Sequence, residues 1–321
     1  EGAAVGSGGV PFGIGSDIGG SIRLPAFFNG VFGHKASPGL VPNTGQFPTA
    51  EGEAARLLTI GPLARRAEDL MPVLRAIAGP DGQDPRCTER PLGDPAEVAI
   101  AGLDVIVTDD AGLVPPRREL REARDRAADA LAAAGARVRS ESMRSLRRAL
   151  ELYLAALKDG AGVEVSALVA GTAGERRWRD ALRGRGPHTT QTMILLAVEK
   201  LAGRVPERRV RHAIAQGRAL AGEVAGVLGD GVLLHHPFAR VAPHHGGTVG
   251  RAWVITPAAT FNLLGLPVTQ VPLGLGRRGL PLGVQVVAAD GADHRAIAVA
   301  LELERRLGGW VPPRPPGDGQ A

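Results

Sequence analysis

The spacing of apolar positions predicts helices and strands that follow one another along the first half of the chain. From Ala67 to Ala78 the apolar residues recur at the interval of one helical face, and a glycine–proline pair then ends the pattern. The apolar run Leu103–Val107 predicts a strand, Arg117–Ala134 predicts a helix, and Ala136–Val138 predicts a second strand. This order of strand, helix and strand is typical of an α/β protein.

The second half of the chain shows the same kind of pattern. Gly231–Leu234, Val268–Leu273 and Leu282–Ala289 are apolar runs of strand length, and Ala292–Leu307 has the spacing of an amphipathic helix. The intervening region, Ser145–Leu228, is helical in character and rich in arginine, although several glycines interrupt it.

Glycine and proline dominate the two ends of the chain. We predict a short strand at Val10–Phe12, a packed turn at Pro25–Gly30 and an irregular surface segment at Ser37–Pro48. No stretch of linker composition divides the chain, so we expect a single domain over residues 1–313. The Pro/Gly-rich residues 314–321 are expected to form a disordered tail.

The excess of basic residues does not indicate nucleic-acid binding. The chain has 38 basic and 33 acidic residues and a formal net charge of +5. Most of the basic residues are arginines dispersed among acids, as in Arg117–Arg126, where the sign alternates as on a solvated helix face. Aromatic residues make up only 3% of the chain, so few can stack on bases. We therefore expect no nucleic-acid partner.

The features that bear on cellular location favour the cytoplasm. Cys87 is the only cysteine, which excludes an internal disulfide and fits a reducing compartment. The longest uncharged run, Ala252–Gly276, contains three prolines, so we interpret it as a buried strand-and-turn region rather than a membrane span. The chain begins with Glu1 and not with methionine, so it looks like a piece of a longer protein. A signal peptide or a membrane anchor in that longer protein therefore stays an open alternative.

The stretch Gly13–Pro25 has the composition of a reactive loop. Two glycines stand directly before Ser21, which lets the backbone adopt positive φ and approach a ligand closely. Consecutive amides in such a turn can converge on an anion or a developing oxyanion. Asp17 and Arg23 flank the serine closely enough to form a buried ion pair that holds it. From these residues alone, an ordinary Gly/Ser loop between a strand and a helix stays an alternative.

Two other kinds of site are disfavoured by the sequence. A dinucleotide-binding loop would need its third glycine where Ile18 stands, and no Gly-Lys-Ser/Thr sequence occurs. His235-His236 and His244-His245 are pairs of adjacent residues, which point to opposite faces of a strand and cannot chelate a metal together. We expect packing or solvated histidines near the rim of a pocket, and no metal site.

Three blocks of the sequence carry a specific motif. Gly15–Lys35 reads GSDIGGSIRLPAFFNGVFGHK, Phe261–Pro267 reads FNLLGLP, and Gly279–Gln285 reads GLPLGVQ. Together with the rest of Ser7–Pro48, these blocks resemble the amidase signature family of serine hydrolases, in particular its type 2 fatty acid amide hydrolase branch. The resemblance implies an α/β fold with a mixed central β-sheet flanked by α-helices on both sides, and it implies no cofactor.

The resemblance also implies roles for individual residues. Ser21 matches the nucleophile of a Ser–cis-Ser–Lys triad, and Asp17 and Arg23 match positions that support the loop. The backbone N–H groups that match the oxyanion hole are those of Ile18, Gly19, Gly20 and Ser21. The lysine and the bridging serine of the triad match no residue of this chain, since both would precede Glu1. Lys35 matches a different lysine, expected to neutralise nearby carbonyls or carboxylates, and is disfavoured as the base.

The function implied by the resemblance is hydrolysis of a carboxylic amide, such as a fatty acid or aryl amide, through a serine acyl-enzyme. The partner would be a small-molecule amide whose acyl group binds in the middle region, and a homodimer stays open. With an incomplete triad, this chain alone is expected to be inactive. Two alternatives also stay open: a subunit of a tRNA-dependent amidotransferase, and a non-catalytic remnant with a ligand-binding role.

Overall fold

An eight-stranded β-sheet forms the centre of the chain. The structure is a computed structural model, and it describes residues 1–47, 49–108, 110, 114–160, 205–248 and 251–313. The strands are β1 (Phe12–Asp17), β2 (Phe32–Lys35), β3 (Thr59–Ala64), β4 (Asp104–Val107), β5 (Arg137–Ser140), β6 (Val232–His235), β7 (Val268–Leu275) and β8 (Pro281–Val287). The α-helices of the described residues are α1 (Gly2–Gly6), α2 (Arg23–Asn29), α3 (Gly52–Leu57), α4 (Leu70–Ile77), α5 (Arg118–Ala132), α6 (Ala149–Lys158), α7 (Glu207–Leu228), α8 (Thr256–Leu263) and α9 (Asp293–Leu307).

The strands lie in the order β1-β3-β2-β7-β8-β6-β4-β5. β4 runs parallel to both β5 and β6, whereas the other neighbouring strands are antiparallel. The sheet is therefore mixed, as the resemblance implied. β1, which leads into the Ser21 loop, is one of the two edge strands.

Helices cover both faces of the sheet. Along β6 the side chains alternate: Val232 and Leu234 lie in one core cluster with residues of α4, α5 and α9, whereas Leu233 lies in a second cluster with residues of α6, α7 and α8. These three side chains are fully buried, and each such burial contributes about 1.5–3 kcal/mol. The prediction of helices on both sides is confirmed.

The elements with clear periodicity are present close to their predicted positions. These are α4, α5 and α9 among the helices, and β4 to β8 among the strands. In the middle region, α6 and α7 are helical as predicted, while residues 161–204 lie outside the described residues. Pro48 and the predicted tail, residues 314–321, lie outside them as well.

The segment Pro25–Gly30 was predicted to be a turn, and that prediction is wrong because most of it belongs to α2. Pro25 stands in the first turn of the helix, where its missing N–H breaks no helical hydrogen bond. Ala26 and Phe27 are fully buried. Gly30 ends the helix in the left-handed region, with φ of 67°.

Two further predictions need correction. The strand predicted at Val10–Phe12 begins at Phe12 and continues to Asp17, because β1 pairs with β3 along this whole length. The uncharged run Ala252–Gly276 contains the helix α8 as well as β7, and it is buried as predicted from Thr256 to Leu273. Among the described residues, the structure contains no helix with the length and apolarity that a membrane crossing requires.

Candidate active site

A five-residue loop between β1 and α2 carries Ser21. β1 ends at Asp17 and α2 begins at Arg23, so the loop comprises residues 18–22. Ser21 is exposed, and its hydroxyl has no hydrogen-bond partner among the residues that the structure describes. The side chain is therefore accessible to solvent in the described part of the chain.

Close packing explains why two glycines precede Ser21. Gly20 has φ of 118°, and a Cβ at this position would lie 2.6 Å from the Cβ of Ala258 on α8. Both the backbone conformation and the space therefore exclude a side chain. A Cβ on Gly19 would lie 2.6 Å from the hydroxyl oxygen of Tyr153 on α6. The loop thus packs on one helix from the middle of the chain and one from its last third.

The carboxylate of Asp17 binds the backbone on both sides of Ser21. Its Oδ1 accepts a hydrogen bond from the Gly20 amide at 2.6 Å. Its Oδ2 accepts from the amides of Ile22 at 3.1 Å and Arg23 at 3.4 Å. Because three amides converge on one carboxylate, the position of that carboxylate sets the conformation of the loop.

Asp17 and Arg23 form the predicted ion pair, and both side chains are fully buried. Arg23 Nε lies 3.0 Å from Asp17 Oδ2, and Nη2 lies 3.0 Å from Oδ1, so the pair is bidentate. Burial by itself would raise the pKa of the Asp17 carboxyl, but the charge and hydrogen bonds of Arg23 hold it well below its usual value. Asp17 is therefore ionised at neutral pH.

The amides expected to form an oxyanion hole divide into two groups. The Gly20 amide is already bound to Asp17 Oδ1, so Gly20 is removed from the predicted set. The amides of Ile18, Gly19 and Ser21 have no acceptor within the described part of the chain. These three amides are available to bind an oxyanion.

Lys35 lies on β2 and is fully buried. Its Nζ donates hydrogen bonds to the carbonyl oxygen of Leu266 at 2.9 Å and to that of Ala36 at 3.2 Å. Burial, together with the charge of Arg23, lowers the pKa of the Lys35 ammonium to about 7. Lys35 thus binds backbone carbonyls, and in the residues described no hydrogen bond joins it to Ser21.

The two histidine pairs differ in environment. His235 and His236 are buried, and their rings are stacked with centroids 4.4 Å apart. The prediction that these side chains point to opposite faces is wrong, because β6 ends at His235 and the strand geometry does not extend to His236. Burial lowers the pKa of His235 to about 4, so its ring is neutral at pH 7. His244 and His245 are exposed. The described residues contain no group of three or more metal-ligating side chains that could hold an ion.

Tyr153 is a site residue that the sequence did not reveal. It is 3% exposed, and its hydroxyl faces Gly19. Burial and the nearby charge of Asp17 raise the pKa of the Tyr153 phenol above its usual value, so the O–H remains a donor. Ile255 lies on the same side, with Cδ1 4.0 Å from the place of a Gly19 Cβ. Tyr153 is the only tyrosine of the chain, and no motif around it marks it as part of a site.

Comparison with known proteins identifies the family. A family model described as Amidase matches residues 1–297. The chain belongs to the amidase signature family. The chain is 37% identical over 325 residues to fatty-acid amide hydrolase 2-B of Danio rerio, a match that covers 98% of this chain and 60% of that protein. It is 31% identical over 325 residues to a glutamyl-tRNA(Gln) amidotransferase subunit of Deinococcus radiodurans, covering 94% of this chain and 65% of that protein.

A solved structure shows the same fold as this chain. A glutamyl-tRNA(Gln) amidotransferase subunit of Thermotoga maritima superposes with a TM-score of 0.76 at 24% identity, covering 95% of this chain and 64% of that chain. The chain spans 60% of the length of the Danio rerio relative.

Proposed function

We propose that the protein containing this chain hydrolyses a carboxylic amide, with Ser21 as the nucleophile. One observation carries the proposal: an exposed serine stands in a loop whose backbone is fixed by a buried carboxylate, next to amides without acceptors among the described residues. The bonds of Asp17 to Gly20 and Ile22 hold the backbone on either side of the serine. An ordinary connecting loop has no need of such a network.

In the proposed reaction, Ser21 Oγ attacks the carbonyl carbon of the amide and transfers its proton to a base. The negative charge that develops on the carbonyl oxygen is stabilised by the amides of Ile18, Gly19 and Ser21. The C–N bond then breaks as the leaving amine takes up a proton, and water hydrolyses the acyl-enzyme. Loss of one oxyanion donor typically costs about 10²–10³ in rate.

We assign the base to residues outside this sequence, namely the lysine and bridging serine of the family's triad. A serine hydroxyl needs a base within hydrogen-bond reach. Lys35 is fully buried, with its Nζ on two carbonyl oxygens. His235 and His236 are buried with their rings stacked, and His235 also contacts Phe261. No hydrogen bond joins either histidine to Ser21 among the described residues.

The surroundings of the loop support an apolar acyl group, such as that of a fatty acid or aryl amide. Ile18 and Ile255 pack against the same core cluster beside the open amides. Trp253, two residues before Ile255, is 41% exposed. An apolar wall at this place would bind an aliphatic or aromatic acyl chain. The similarity to a fatty-acid amide hydrolase at 37% identity supports the same substrate class.

The test is covalent labelling of the complete gene product with a serine-directed fluorophosphonate. We expect Ser21 to be labelled, and Ser21→Ala to lose both the label and amide hydrolysis. Ser16→Ala is the matched control, because Ser16 lies on β1 just before the loop. Labelling that survives Ser21→Ala would remove Ser21 from the mechanism.

A second candidate function is that of an amidotransferase subunit, which the 31% identity to the Deinococcus radiodurans protein supports. Such a subunit would act together with partner subunits. Purification from the native source distinguishes the two functions. Stable copurifying subunits favour the amidotransferase, whereas a protein that hydrolyses a fatty acid amide without partners favours the stand-alone amidase.

A further inference from the structure

The guanidinium of Arg23 is saturated with hydrogen bonds. Two of these bonds join it to Asp17. Nη1 donates to the carbonyl oxygen of Ala258 at 3.0 Å and to Gln285 Oε1 at 2.7 Å. Nη2 also donates to Asn262 Oδ1 at 2.6 Å. A guanidinium has five N–H groups, and here each of them has an acceptor. Its orientation is therefore determined from several sides.

Asn262, on α8, connects three parts of the site. Its Oδ1 faces Arg23, and its Nδ2 donates to the carbonyl oxygen of Asp17 at 3.0 Å, to Asp17 Oδ1 at 2.9 Å and to the carbonyl oxygen of Leu57 at 3.0 Å. Because a guanidinium has no acceptor, the oxygen and not the nitrogen of this amide must face it. Asn262 is fully buried, so bulk solvent does not reach these bonds.

Gln285, on β8, contacts Arg23 in the same manner. Its Oε1 accepts from Nη1, and its Nε2 donates to the carbonyl oxygens of His236 and Pro257, each at 3.1 Å. The side chain is fully buried. The amide is thereby fixed at both ends, to His236 and α8 on one side and to Arg23 on the other.

We propose that Asn262 and Gln285 are positioning residues for Ser21, an inference whose catalytic part rests on the proposed amide hydrolysis. The two amides orient the Arg23 guanidinium, which orients the Asp17 carboxylate. That carboxylate binds the amides of Gly20 and Ile22, on either side of Ser21. Asn262 and Gln285 do not touch the substrate; they act through Arg23 and Asp17.

The chemistry of the two positions requires neutral amides. A carboxylate at position 262 would place a negative oxygen 2.9 Å from Asp17 Oδ1, where Nδ2 now donates. An apolar side chain would leave a buried guanidinium N–H and at least one carbonyl without partners, which is costly. Only a side chain with both an acceptor and a donor serves the arginine and the neighbouring carbonyls together.

Gln270 offers a matched control for Gln285. It lies on the adjacent strand β7, directly opposite Gln285 in the register, and is equally buried. Its Nε2 donates to the carbonyl oxygen of Val271 at 3.1 Å, and its Oε1 has no partner among the described residues. Gln285→Met and Gln270→Met thus make the same substitution in the same sheet, but only the first one touches Arg23.

The experiment compares these two variants in the complete gene product. We expect Gln285→Met to lower kcat for a fatty acid primary amide, and the rate of fluorophosphonate labelling of Ser21, by about 10- to 100-fold with little change in KM. Amide hydrogen exchange in residues 17–23 should become about tenfold faster, because loosened bonds to a charged carboxylate open more often. Gln270→Met should leave kcat, the labelling rate and the exchange rate unchanged, even if it lowers the melting temperature as much as Gln285→Met does.

Equal exchange in residues 17–23 for Gln285→Met and Gln270→Met would overturn the inference, whatever the activities. If Gln285→Met does not fold, Asn262→Ser carries the same test, since it removes the acceptor of Nη2 by truncation. If Gln285→Met exchanges faster but the wild-type protein shows no reaction at Ser21, the positioning role stands and the proposed hydrolysis is rejected. The two ideas therefore fail separately.

Discussion

At the scale of single residues, the contact between Gly19 and Tyr153 gives a direct test of the loop packing. A Cβ on Gly19 would lie 2.6 Å from the Tyr153 hydroxyl oxygen, but 3.3 Å from the next atom of that side chain, Cζ. We expect Gly19→Ala to displace the loop, at a cost of about 1–3 kcal/mol, and to slow labelling of Ser21. In the Tyr153→Phe background the same change should be better tolerated.

The measurement is the labelling rate and the unfolding free energy of wild type, both single variants and the double variant. The double variant should lose less unfolding free energy than the sum of the two single losses, because Tyr153→Phe removes the atom that collides with the new methyl group. Additive effects of the two substitutions would show that Tyr153 does not pack on the loop.

Lys35 gives a pH-dependent prediction. The folded protein releases the Lys35 proton near pH 7, whereas the unfolded chain keeps it up to about 10.5. Between these values the unfolded chain binds more protons, so this residue makes the unfolding free energy rise with pH. Lys35→Met should remove this contribution, which is at most about 1.4 kcal/mol per pH unit. Urea unfolding at several pH values from about 7 to 9.5 measures it, and parallel curves for the two proteins would contradict the assigned environment of Lys35.

Some site residues can be predicted from local sequence and others cannot. Asp17, Ser21 and Arg23 lie within a stretch of seven residues, so their spacing alone places them in one loop or directly beside it. Asn262 is 239 residues and Gln285 is 262 residues from Arg23 in the sequence. Although both lie in blocks that match the family, no local pattern shows that their side chains meet a guanidinium. Their role depends on sheet pairing, which only the structure gives.

At the scale of secondary structure, the spacing of apolar residues predicts the long elements that bury only one face. α5 and α9 have 15 residues each, and their apolar positions recur on one face. α2 has only seven residues, with Pro25 inside it and Gly30 after it, so its sequence favours a turn. Its helical form depends on packing, since isolated helices of this length are unstable. Tertiary contacts therefore determine the secondary structure of a short element such as α2.

The attachment of α9 provides a prediction at this scale. Asp293, at the start of α9, is 1% exposed and accepts hydrogen bonds from the Ser37 amide at 2.8 Å and the Ser37 hydroxyl at 2.6 Å. It also pairs with His34 Nε2 at 3.0 Å. Asp293→Ala should therefore lower the unfolding free energy by at least about 1–3 kcal/mol, because it leaves buried donors unpaired.

Asp290→Ala is the control for this helix attachment. Asp290 is 54% exposed and pairs with Arg90 at the surface, so its loss should cost less than about 1 kcal/mol. Urea unfolding of both variants gives the comparison. Equal costs would mean that Asp293 does not hold α9 against the segment that follows β2.

For the whole molecule, we expect residues 1–321 on their own to hydrolyse no amide at a useful rate. Ser21, the proposed nucleophile, and the open amides are present, but in the described residues no lysine or histidine is hydrogen-bonded to Ser21. Phe12 and Ile14 on the edge strand β1 are each 44% exposed, so we also expect this chain to aggregate readily. Assay of this chain and of the complete gene product on a medium-chain fatty acid primary amide tests both points. If the isolated chain hydrolyses the amide and Ser21→Ala abolishes that activity, the base lies within these residues.

The bonds of Arg23 to Asn262 and Gln285 also have a consequence for protein synthesis. Ribosomes add about 5–20 residues per second, so the 262 residues between Arg23 and Gln285 take about 13–50 s to translate. During that interval the nascent chain carries Ser21 without the distant side chains that fix its loop. Contacts between residues so far apart in the sequence form late in folding. A ribosome-bound intermediate should therefore be unreactive towards amides until the C-terminal strands have been made and paired.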